Sequence, residues 1–396
     1  MAEFPIYDED VFADDAILDP WPHYARMRDL GPVVRLGASE VLAVTRYAGV
    51  RQVLGDHVTF RSGDGVMFSD LANQQTRGTL LASDPPLHDA LRRTLAHRLT
   101  PRALGVVRET IAAKGADVVT QALAGRGVVD GMRDLAEAMP MSFVPEFLGF
   151  PHECHPRLLE WAGAAIDVGG PASGRTPGAV VVAQELSQYA ELLVRERALI
   201  PGSLGDDILA AADRGEIDAA QAVALLIDYF GPSLETTISA LASALWLFSE
   251  NPDQWQLLRS DPSLVGAAFN EVVRLESPLR AFTRLTSADT TIEGVRVPAG
   301  SRVAVFYASA NRDERRWDQP DRFDLRRDSA FQLGLGHGVH ACVGQGLARQ
   351  EFAAVLTPLA AEVQRIEPAG PPVRRINSLL RTFDKLPLLL HRDSAA

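Results

Sequence analysis

The feature that most constrains this sequence is a glycine-rich run around a single cysteine. The run reads Leu-Gly-His-Gly-Val-His-Ala-Cys-Val-Gly over residues 335–344, and a helical pattern follows it from Gly346. Glycines let a backbone approach something large and flat, because they carry no side chain. The amino terminus of the following helix favours the thiolate form of Cys342 over the thiol. The run therefore predicts a cysteine held against a flat partner at the start of a helix.

Cys342 by itself admits two interpretations. Free cysteine is usually a small buried hydrophobic residue, so a structural cysteine in a glycine-rich turn is one of them. The other is a single thiolate that serves as axial ligand of a haem iron, where its electron donation favours O–O cleavage. The chain has 2 cysteines, too few for a cysteine-only iron–sulfur or zinc site. The run His-Glu-Cys-His at 152–155 spans one turn without a second ligand cluster nearby, which disfavours zinc there.

Length, charge and composition exclude several classes of protein. The chain has 396 residues, of which 46% are hydrophobic, enough for a large core in one domain over residues 1–396. A formal net charge of −12, without a basic stretch interleaved with aromatic residues, argues against a nucleic-acid partner. No uncharged apolar run reaches the roughly 18 residues of a membrane span.

The first residues and the scarcity of cysteine bear on location. Residues 1–10 are acidic and lack the basic end and the apolar stretch of a secretory signal. Two cysteines in a chain of this length fit a reducing compartment. We therefore expect a cytoplasmic protein with no membrane segment, and we expect a monomer.

Helical periodicity dominates the sequence. Helical patterns cover residues 22–30, 45–55, 86–98, 101–124, 130–147, 154–167, 179–199, 217–249, 252–260 and 263–276. Short β-like runs lie at 33–36, 41–44, 291–293 and 302–306. The sequence predicts a mainly α protein with a small β region. A glycine- and proline-rich stretch at 169–178 predicts a mobile loop within that domain.

The longest apolar helical pattern runs from Asp218 to Glu250 and contains Pro232. A proline cannot donate to the carbonyl four residues back, here that of Asp228, so a kink with a freed carbonyl is expected. An acid and hydroxyls follow at 235–237. From the residues alone, the segment also fits a kinked core helix whose threonines bond back to the backbone.

The run around Cys342 resembles the haem-binding signature of the cytochrome P450 family, the haem-thiolate monooxygenases. Leu335 replaces the usual phenylalanine, and the resemblance covers residues 15–392 with five motifs in order. The residues that match the signature are Gly336, Gly338, His340, Cys342 and Gly344. The resemblance implies the cytochrome P450 fold, with haem b between a long distal helix and the helix that follows the cysteine loop. It implies that Cys342 ligates the iron.

The same resemblance assigns the helix around Pro232 to the distal, oxygen-binding side. Glu235 and Thr236 match the family's acid–alcohol pair, while Pro232-Ser233 replaces the usual Ala-Gly. Cleavage of dioxygen requires protons at its distal oxygen. Thr236 is therefore expected to hold the oxygen and a water, and Glu235 to relay protons from solvent.

The resemblance also implies which residues hold the cofactor. With Gly336 of the cysteine loop, the residues at propionate-binding positions are His88, Arg92, Arg284 and His340. Glu271, Arg274 and Arg322 match the Glu-x-x-Arg and Pro-x-Arg-Phe elements, which form a buried charged network behind the loop. Buried charges cost several kcal/mol unless they are paired, so loss of a member should prevent haem loading.

Asp228 is an acid inside an apolar run, at a position that faces the substrate cavity in the family. We expect it to bind a polar or cationic substrate group, or an arginine that does so, such as Arg280; a surface salt bridge is the alternative. The other candidates for substrate contact are Met67, Phe68, Pro232, Leu279, Phe282 and Leu379. Their apolar and aromatic character indicates a small hydrophobic or aromatic substrate with one polar group.

The resemblance implies a bacterial, soluble monooxygenase that uses O₂ for hydroxylation or O-demethylation. Ferredoxin and ferredoxin reductase are the expected electron donors, because the chain carries no flavin or dinucleotide motif. An acidic ferredoxin is expected to dock on Arg92, Arg93, Arg98, Arg102 and Arg349. The alternatives are a peroxide-driven or coupling enzyme on the same scaffold, and a haem sensor without turnover. The Glu235–Thr236 pair disfavours both.

Overall fold

α-Helices dominate the computed structural model, which describes residues 4–37, 39–125 and 127–392. The α-helices are α1 (Asp14–Leu18), α2 (Trp21–Leu30), α3 (Tyr47–Gly55), α4 (Asp70–Gln75), α5 (Leu87–Ala96), α6 (Pro101–Ala124), α7 (Ala138–Leu148), α8 (Leu158–Asp167), α9 (Thr176–Glu196), α10 (Leu204–Asp213), α11 (Ala219–Glu250), α12 (Pro252–Ser260), α13 (Val265–Glu276), α14 (Tyr307–Ala310) and α15 (Gln345–Glu362). Short 3₁₀-helices cover His97–Leu99, His152–Arg157, Pro262–Leu264 and Gly338–His340, and a π-helical segment covers Gly131–Glu137.

The strands are short and form small sheets. They are β1 (Ile6–Tyr7), β2 (Val34–Leu36), β3 (Leu42–Val44), β4 (Phe60–Arg61), β5 (Val128–Asp130), β6 (Ala281–Thr286), β7 (Thr290–Ile292), β8 (Val295–Val297), β9 (Arg302–Phe306), β10 (Val363–Pro368), β11 (Val373–Arg374), β12 (Phe383–Lys385) and β13 (Pro387–Arg392). One sheet has the strand order β1-β2-β3-β9-β6-β4 and another β10-β13-β5. In the first, β6 pairs antiparallel with β9, with Phe282 opposite Val305 and Arg284 opposite Val303. The prediction of a mainly α fold with a small β region is confirmed.

Most helical patterns correspond to helices, and two, at 101–124 and 252–260, have the predicted bounds. The pattern at 130–147 divides into the π-helical segment and α7. Strands β6, β10 and β13 were not predicted from periodicity. Their sequences mix charged residues with apolar ones, and pairing across the sheet determines their conformation instead.

Helix α11 is the central element of the core. It begins with a capping box in which Asp218 and Gln221 satisfy each other's backbone N–H groups. The helix runs for 32 residues through Pro232, and most of its apolar side chains are buried. It packs against α8, α9, α13 and the π-helical segment. One long helix therefore carries all the distal residues predicted from the sequence.

Helix α15, which follows the cysteine loop, packs closely on α6. A Cβ atom on Gly115 of α6 would lie 2.4 Å from the carbonyl oxygen of Ala354 of α15, so a larger residue has no room there. On its other sides α15 contacts α13 and α11. This packing fixes the helix that begins just after Cys342.

The loop predicted at 169–178 ends earlier than expected. Residues 176–178 already belong to α9. Gly169 and Gly170 are buried, and a Cβ on Gly169 would meet the sulfur of Met67 at 2.7 Å. Close packing therefore explains these glycines.

Two predictions concern the whole chain. Within the described ranges, no helix is both long enough and apolar enough to cross a membrane. The prediction of one domain over residues 1–396 stays a prediction. Residues 1–3, 38, 126 and 393–396, which include part of the acidic start, lie outside the described residues.

Candidate active site

A large cavity separates α11 from the cysteine loop. The space between its walls, part of which is open to solvent, is about 1370 Å³. The residues on its wall include all six predicted cofactor residues, namely His88, Arg92, Arg284, Gly336, His340 and Cys342. Thr236 lines the same space from α11. The structure therefore brings the predicted proximal and distal residues to the wall of one cavity.

The cysteine loop is built on glycine conformations. Gly336 and Gly338 have φ angles of 73° and 71°, in the left-handed region that favours glycine. A Cβ on Gly338 would lie 2.5 Å from the carbonyl oxygen of Leu54, so this turn also needs the missing side chain. The backbone N–H of Cys342 donates to the carbonyl of Leu335 at 2.8 Å and closes the loop. These contacts aim Cys342 into the cavity at the start of α15.

The electrostatics of Cys342 differ from the expectation. Burial raises the pKa of its thiol, and this effect exceeds the lowering by the backbone N–H groups of Gly344 and Gln345 and by Arg92 and Arg349. The helix terminus does favour the thiolate, but it does not outweigh the loss of solvent. A metal cation bound to the sulfur reverses this balance, since coordination deprotonates a thiol.

Two histidines face the cavity with unsatisfied nitrogens. Their rings, His88 and His340, lie 4.4 Å apart between centroids. Nε2 of each is buried and has no hydrogen-bond partner within the described chain. A buried polar atom without a partner costs about 1–3 kcal/mol. This pair therefore indicates that a polar group belongs in the cavity beside it.

The two arginines that line the cavity, Arg92 and Arg284, make different contacts. Arg92 donates to the carbonyls of Val339 at 3.2 Å and Ala341 at 2.8 Å, so it braces the cysteine loop. Arg284 donates to the carbonyl of Thr283 at 2.7 Å and lines the cavity beside the histidines. Cations, two imidazoles that need partners and one thiol fit an iron porphyrin with two carboxylates.

Behind the cysteine loop lies a fully buried ion pair. Arg274 donates to both carboxylate oxygens of Glu271, at 2.8 and 2.9 Å, and neither side chain is exposed. Arg274 also donates to the carbonyls of Asn311 at 2.8 Å and Pro320 at 2.7 Å. The pair therefore ties α13 to the irregular chain that leads to the cysteine loop.

The third member of this network is Arg327, and the prediction of Arg322 was wrong. Nε of Arg327 donates to Glu271 at 3.0 Å. The side chain of Arg322 is exposed and donates to Gln319, and only its carbonyl reaches Arg274, at 3.2 Å. The turn at 319–322 points the Arg322 side chain outward. We call Glu271, Arg274 and Arg327 the clamp.

The two residues of the predicted acid–alcohol pair, Glu235 and Thr236, have different surroundings. The hydroxyl of Thr236 lines the cavity and donates to the carbonyl of Pro232 at 2.6 Å. Helix α11 continues through the proline, so this back-bond agrees with the plain structural interpretation of the segment. Glu235 is buried, and its oxygens lie 3.2 and 3.3 Å from Nη1 of Arg375. Burial raises the pKa of Glu235 to about 7, although Arg375 lowers it.

Asp228 lies on the cavity wall, as expected, but its partners differ from those predicted. Its Oδ2 accepts the backbone N–H of Leu80 at 2.6 Å and of Leu81 at 3.4 Å. Burial raises its pKa to about 7. Arg280 instead donates to Tyr24 at 3.1 Å and to a backbone carbonyl at 3.0 Å, so the Arg280 pairing was wrong. The described residues also include no salt bridge to Asp228.

The predicted substrate residues form two layers. Pro232, Leu279 and Phe282 line the cavity. Met67, Phe68 and Leu379 belong to a hydrophobic cluster that Phe282 also joins. They therefore stand behind Phe282 and support it.

Glu351 and Tyr229 also line this cavity, and neither was predicted from the sequence. Glu351 is fully buried, and its two carboxylate oxygens lack a hydrogen-bond partner among the described residues, as does the hydroxyl of Tyr229. Burial raises the pKa of Glu351 to about 8. One signal was available, because Glu351 follows Leu347 by four residues and so shares its buried helix face.

The run at 152–155 is structural. Its cysteine, Cys154, is buried and donates to the carbonyl of Pro151 at 3.0 Å. Over the described ranges, no group of three or more histidine, cysteine or acidic side chains could hold a metal ion. The zinc interpretation, already disfavoured, finds no support there.

Comparisons with known proteins were made by family model, by sequence and by structure. The family model described as Cytochrome P450 matches residues 191–361. Cytochrome p450 CYP199A2 of Rhodopseudomonas palustris is 38% identical over 384 residues, 96% of this chain and 93% of that protein. Cytochrome P450 monooxygenase PikC of Streptomyces venezuelae is 31% identical over 88% of this chain and 84% of its own. The ligand-free crystal structure of Mycobacterium smegmatis CYP164A2 matches with a TM-score of 0.86 and 26% identity, over 96% and 98% of the two chains.

The clamp predicts different outcomes for two arginines five residues apart. Arg327→Ala removes a hydrogen bond to the buried Glu271, so we expect the free energy of unfolding to fall by about 1–3 kcal/mol and the haem content to fall with it. Arg322→Ala is the matched control, because the backbone carbonyl that reaches Arg274 remains. Its unfolding free energy should stay within about 0.5 kcal/mol of the parent. Haem absorbance per protein and urea unfolding measure both, and equal effects would contradict the assignment.

The buried Glu351 predicts a pH-dependent stability. Its folded pKa lies above its unfolded value, so its contribution is complete below about pH 4.5 and is lost as the pH rises through about 8. Between these limits the free energy of unfolding of the parent protein should fall by an amount on the order of 4 kcal/mol. Glu351→Gln should remove this fall. Urea unfolding at pH 5.5 and pH 8.5 tests this. The variant should gain on the parent at the higher pH, and parallel behaviour of the two proteins would refute it.

Proposed function

Because the chain belongs to the cytochrome P450 family, we propose that it inserts one atom of O₂ into a small, hydrophobic or aromatic substrate with one polar group. Membership makes the protein a haem-dependent oxidoreductase of the monooxygenase class. The observation that supports the finer proposal is the shared cavity, which Cys342, Thr236 and Asp228 all line. Hydroxylation or O-demethylation is the proposed outcome.

Haem supplies the iron centre at which dioxygen is activated. In our proposal Cys342 holds the iron, and the free nitrogens of His88 and His340 donate to the haem carboxylates with Arg284 beside them. Arg92 keeps the cysteine loop in place through two loop carbonyls. Leu335, which replaces the family's usual phenylalanine, packs on the core beside the loop. In this proposal these residues bind and orient the cofactor.

Thr236 and Glu235 are proposed to move the protons. The Thr236 hydroxyl is at the cavity wall, where it can hold a water and pass on a proton. Glu235 lies next to it in sequence, and Arg375 links it to Asp384, which is 51% exposed, through a 2.7 Å hydrogen bond. A pKa of about 7 lets Glu235 exchange protons near neutral pH. The route from solvent to the cavity therefore runs beside the Glu235–Arg375 pair.

Electrons are proposed to come from a ferredoxin and its reductase, in the cytoplasm. The predicted docking arginines differ in availability, because Arg98 pairs with Asp207 and Arg349 with Asn270. Arg93 and Arg102 are exposed. Within the described ranges neither forms a salt bridge, and in our proposal they supply the positive charge next to the cysteine side, on a chain whose net charge is −12.

The carbon monoxide difference spectrum of the reduced protein tests the proposed haem ligand. A Soret band shifted far to the red indicates thiolate ligation, and Cys342→Ser should abolish this shift. Cys154→Ser is the matched control, because the Cys154 thiol donates to the carbonyl of Pro151. An ordinary haem band in the parent protein would overturn the proposal.

The Thr236 hydroxyl predicts a specific defect. Thr236→Ala should lower the rate of product formation by about 10²-fold, because proton delivery by a positioned group contributes about that much or more. Thr236→Ser keeps the hydroxyl and should retain most of the rate. A substrate found among small aromatic phenols, ethers and amines, with product and hydrogen peroxide measured against O₂ consumed, provides the assay. Equal product yields in the two variants would exclude this role.

A further inference from the structure

Many of the residues that line the cavity are apolar, and Asp228 places a carboxyl group among them. The apolar lining residues include Leu80, Leu81, Pro232, Leu279 and Phe282. An acid with no charged neighbour on an apolar wall is costly to keep ionised. A ligand that enters this space therefore meets one strongly polar feature.

The protein satisfies Asp228 only in part. Two backbone N–H groups, of Leu80 and Leu81, donate to Oδ2 and hold the carboxyl in one orientation. In the described part of the chain no arginine, lysine or histidine forms a salt bridge with Asp228. Burial raises the pKa of its carboxyl group. The arginines that line the cavity, Arg92 on α5 and Arg284 on β6, donate to backbone carbonyls elsewhere.

We infer that the substrate is an amine whose ammonium group pairs with Asp228. This inference rests on the proposed monooxygenase function and names the substrate class. An ammonium group supplies the missing counter-charge, so it gains ion-pair attraction to the carboxylate in addition to a charge-assisted hydrogen bond. A neutral hydroxyl can donate a hydrogen bond to the carboxylate but brings no counter-charge. A carboxylate is repelled, because it places a second negative charge beside Asp228.

The helix sets the length of such a substrate. Asp228 and Thr236 are eight residues apart on α11, which is about 12 Å along the axis and about 80° around it. The ammonium group binds at the first position, and the carbon to be oxidised lies near the second. One aromatic ring with a short alkylamine on one side and the oxidised group on the other fits this span.

Three ligands of one shape test the inference. They are 2-(4-methoxyphenyl)ethylamine, 2-(4-methoxyphenyl)ethanol and 4-methoxyphenylacetate, which carry a cation, a neutral group and an anion at the same place. Calorimetry gives their affinities for the haem-loaded protein, and the Soret shift reports whether the ligand displaces water without binding the iron. We expect the amine to bind at least about tenfold more tightly than the alcohol, and the carboxylate to bind most weakly.

Asp228→Asn should remove the preference for the amine, because the amide keeps an oxygen for the Leu80 and Leu81 N–H groups but carries no charge. Glu351→Gln, which neutralises the other buried acid on the wall, should retain the preference. Equal affinities for amine and alcohol, a preference that survives Asp228→Asn, nitrogen ligation of the iron, or no binding of any of the three would overturn the inference. A failed carbon monoxide test instead overturns the proposed function, so the two failures are distinct.

Discussion

The buried ion pair between Glu271 and Arg274 is the interaction on which the site depends. Both side chains are fully buried, so their charges are tolerated only because nearly every polar atom has a partner. Arg274 finds its remaining partners in the carbonyls of Asn311, Pro320 and Arg322. These carbonyls belong to the irregular chain between α14 and α15, where no ladder of backbone hydrogen bonds fixes the path. The hydrogen bonds of Arg274 therefore fix the path of this segment, as strand pairing does in a sheet. The position of the segment in turn determines the position of the cysteine loop that follows it.

The parts of the site that could be predicted are those encoded by local sequence. The glycines around Cys342 specify a turn, and the periodicity of α11 specifies a helix, so both were found without tertiary information. The choice between Arg322 and Arg327 could not be made, because both lie in an irregular segment whose path depends on distant contacts. The prediction of Arg280 as the partner of Asp228 failed for the same reason, since the Arg280 side chain donates to Tyr24 instead. Spacing along the chain does not reveal which way such a side chain points.

Three acids near the cavity, of which Glu235 and Glu351 are buried and Asp228 is half-buried, show how differently one fold can treat the same chemical group. Asp228 accepts hydrogen bonds from backbone N–H groups, and Glu235 accepts them from Arg375. The carboxylate oxygens of Glu351 have no hydrogen-bond partner among the described residues. Each has a raised pKa because burial outweighs whatever compensates it. Their environments nevertheless differ, because within the described residues Asp228 has no salt bridge, Glu235 is paired with Arg375, and the carboxylate oxygens of Glu351 have no hydrogen-bond partner. The electrostatic character of the site therefore comes from the neighbours of each acid more than from the acids themselves.

Strand β6 carries Phe282 and Arg284 two residues apart, so both side chains leave the same face of the strand. Both residues line the cavity, and Arg284 lies near His340. Strand β9 pairs with β6 from Ala281 to Leu285, so both residues lie within one paired stretch. The position of this single strand therefore sets two parts of the cavity wall at once.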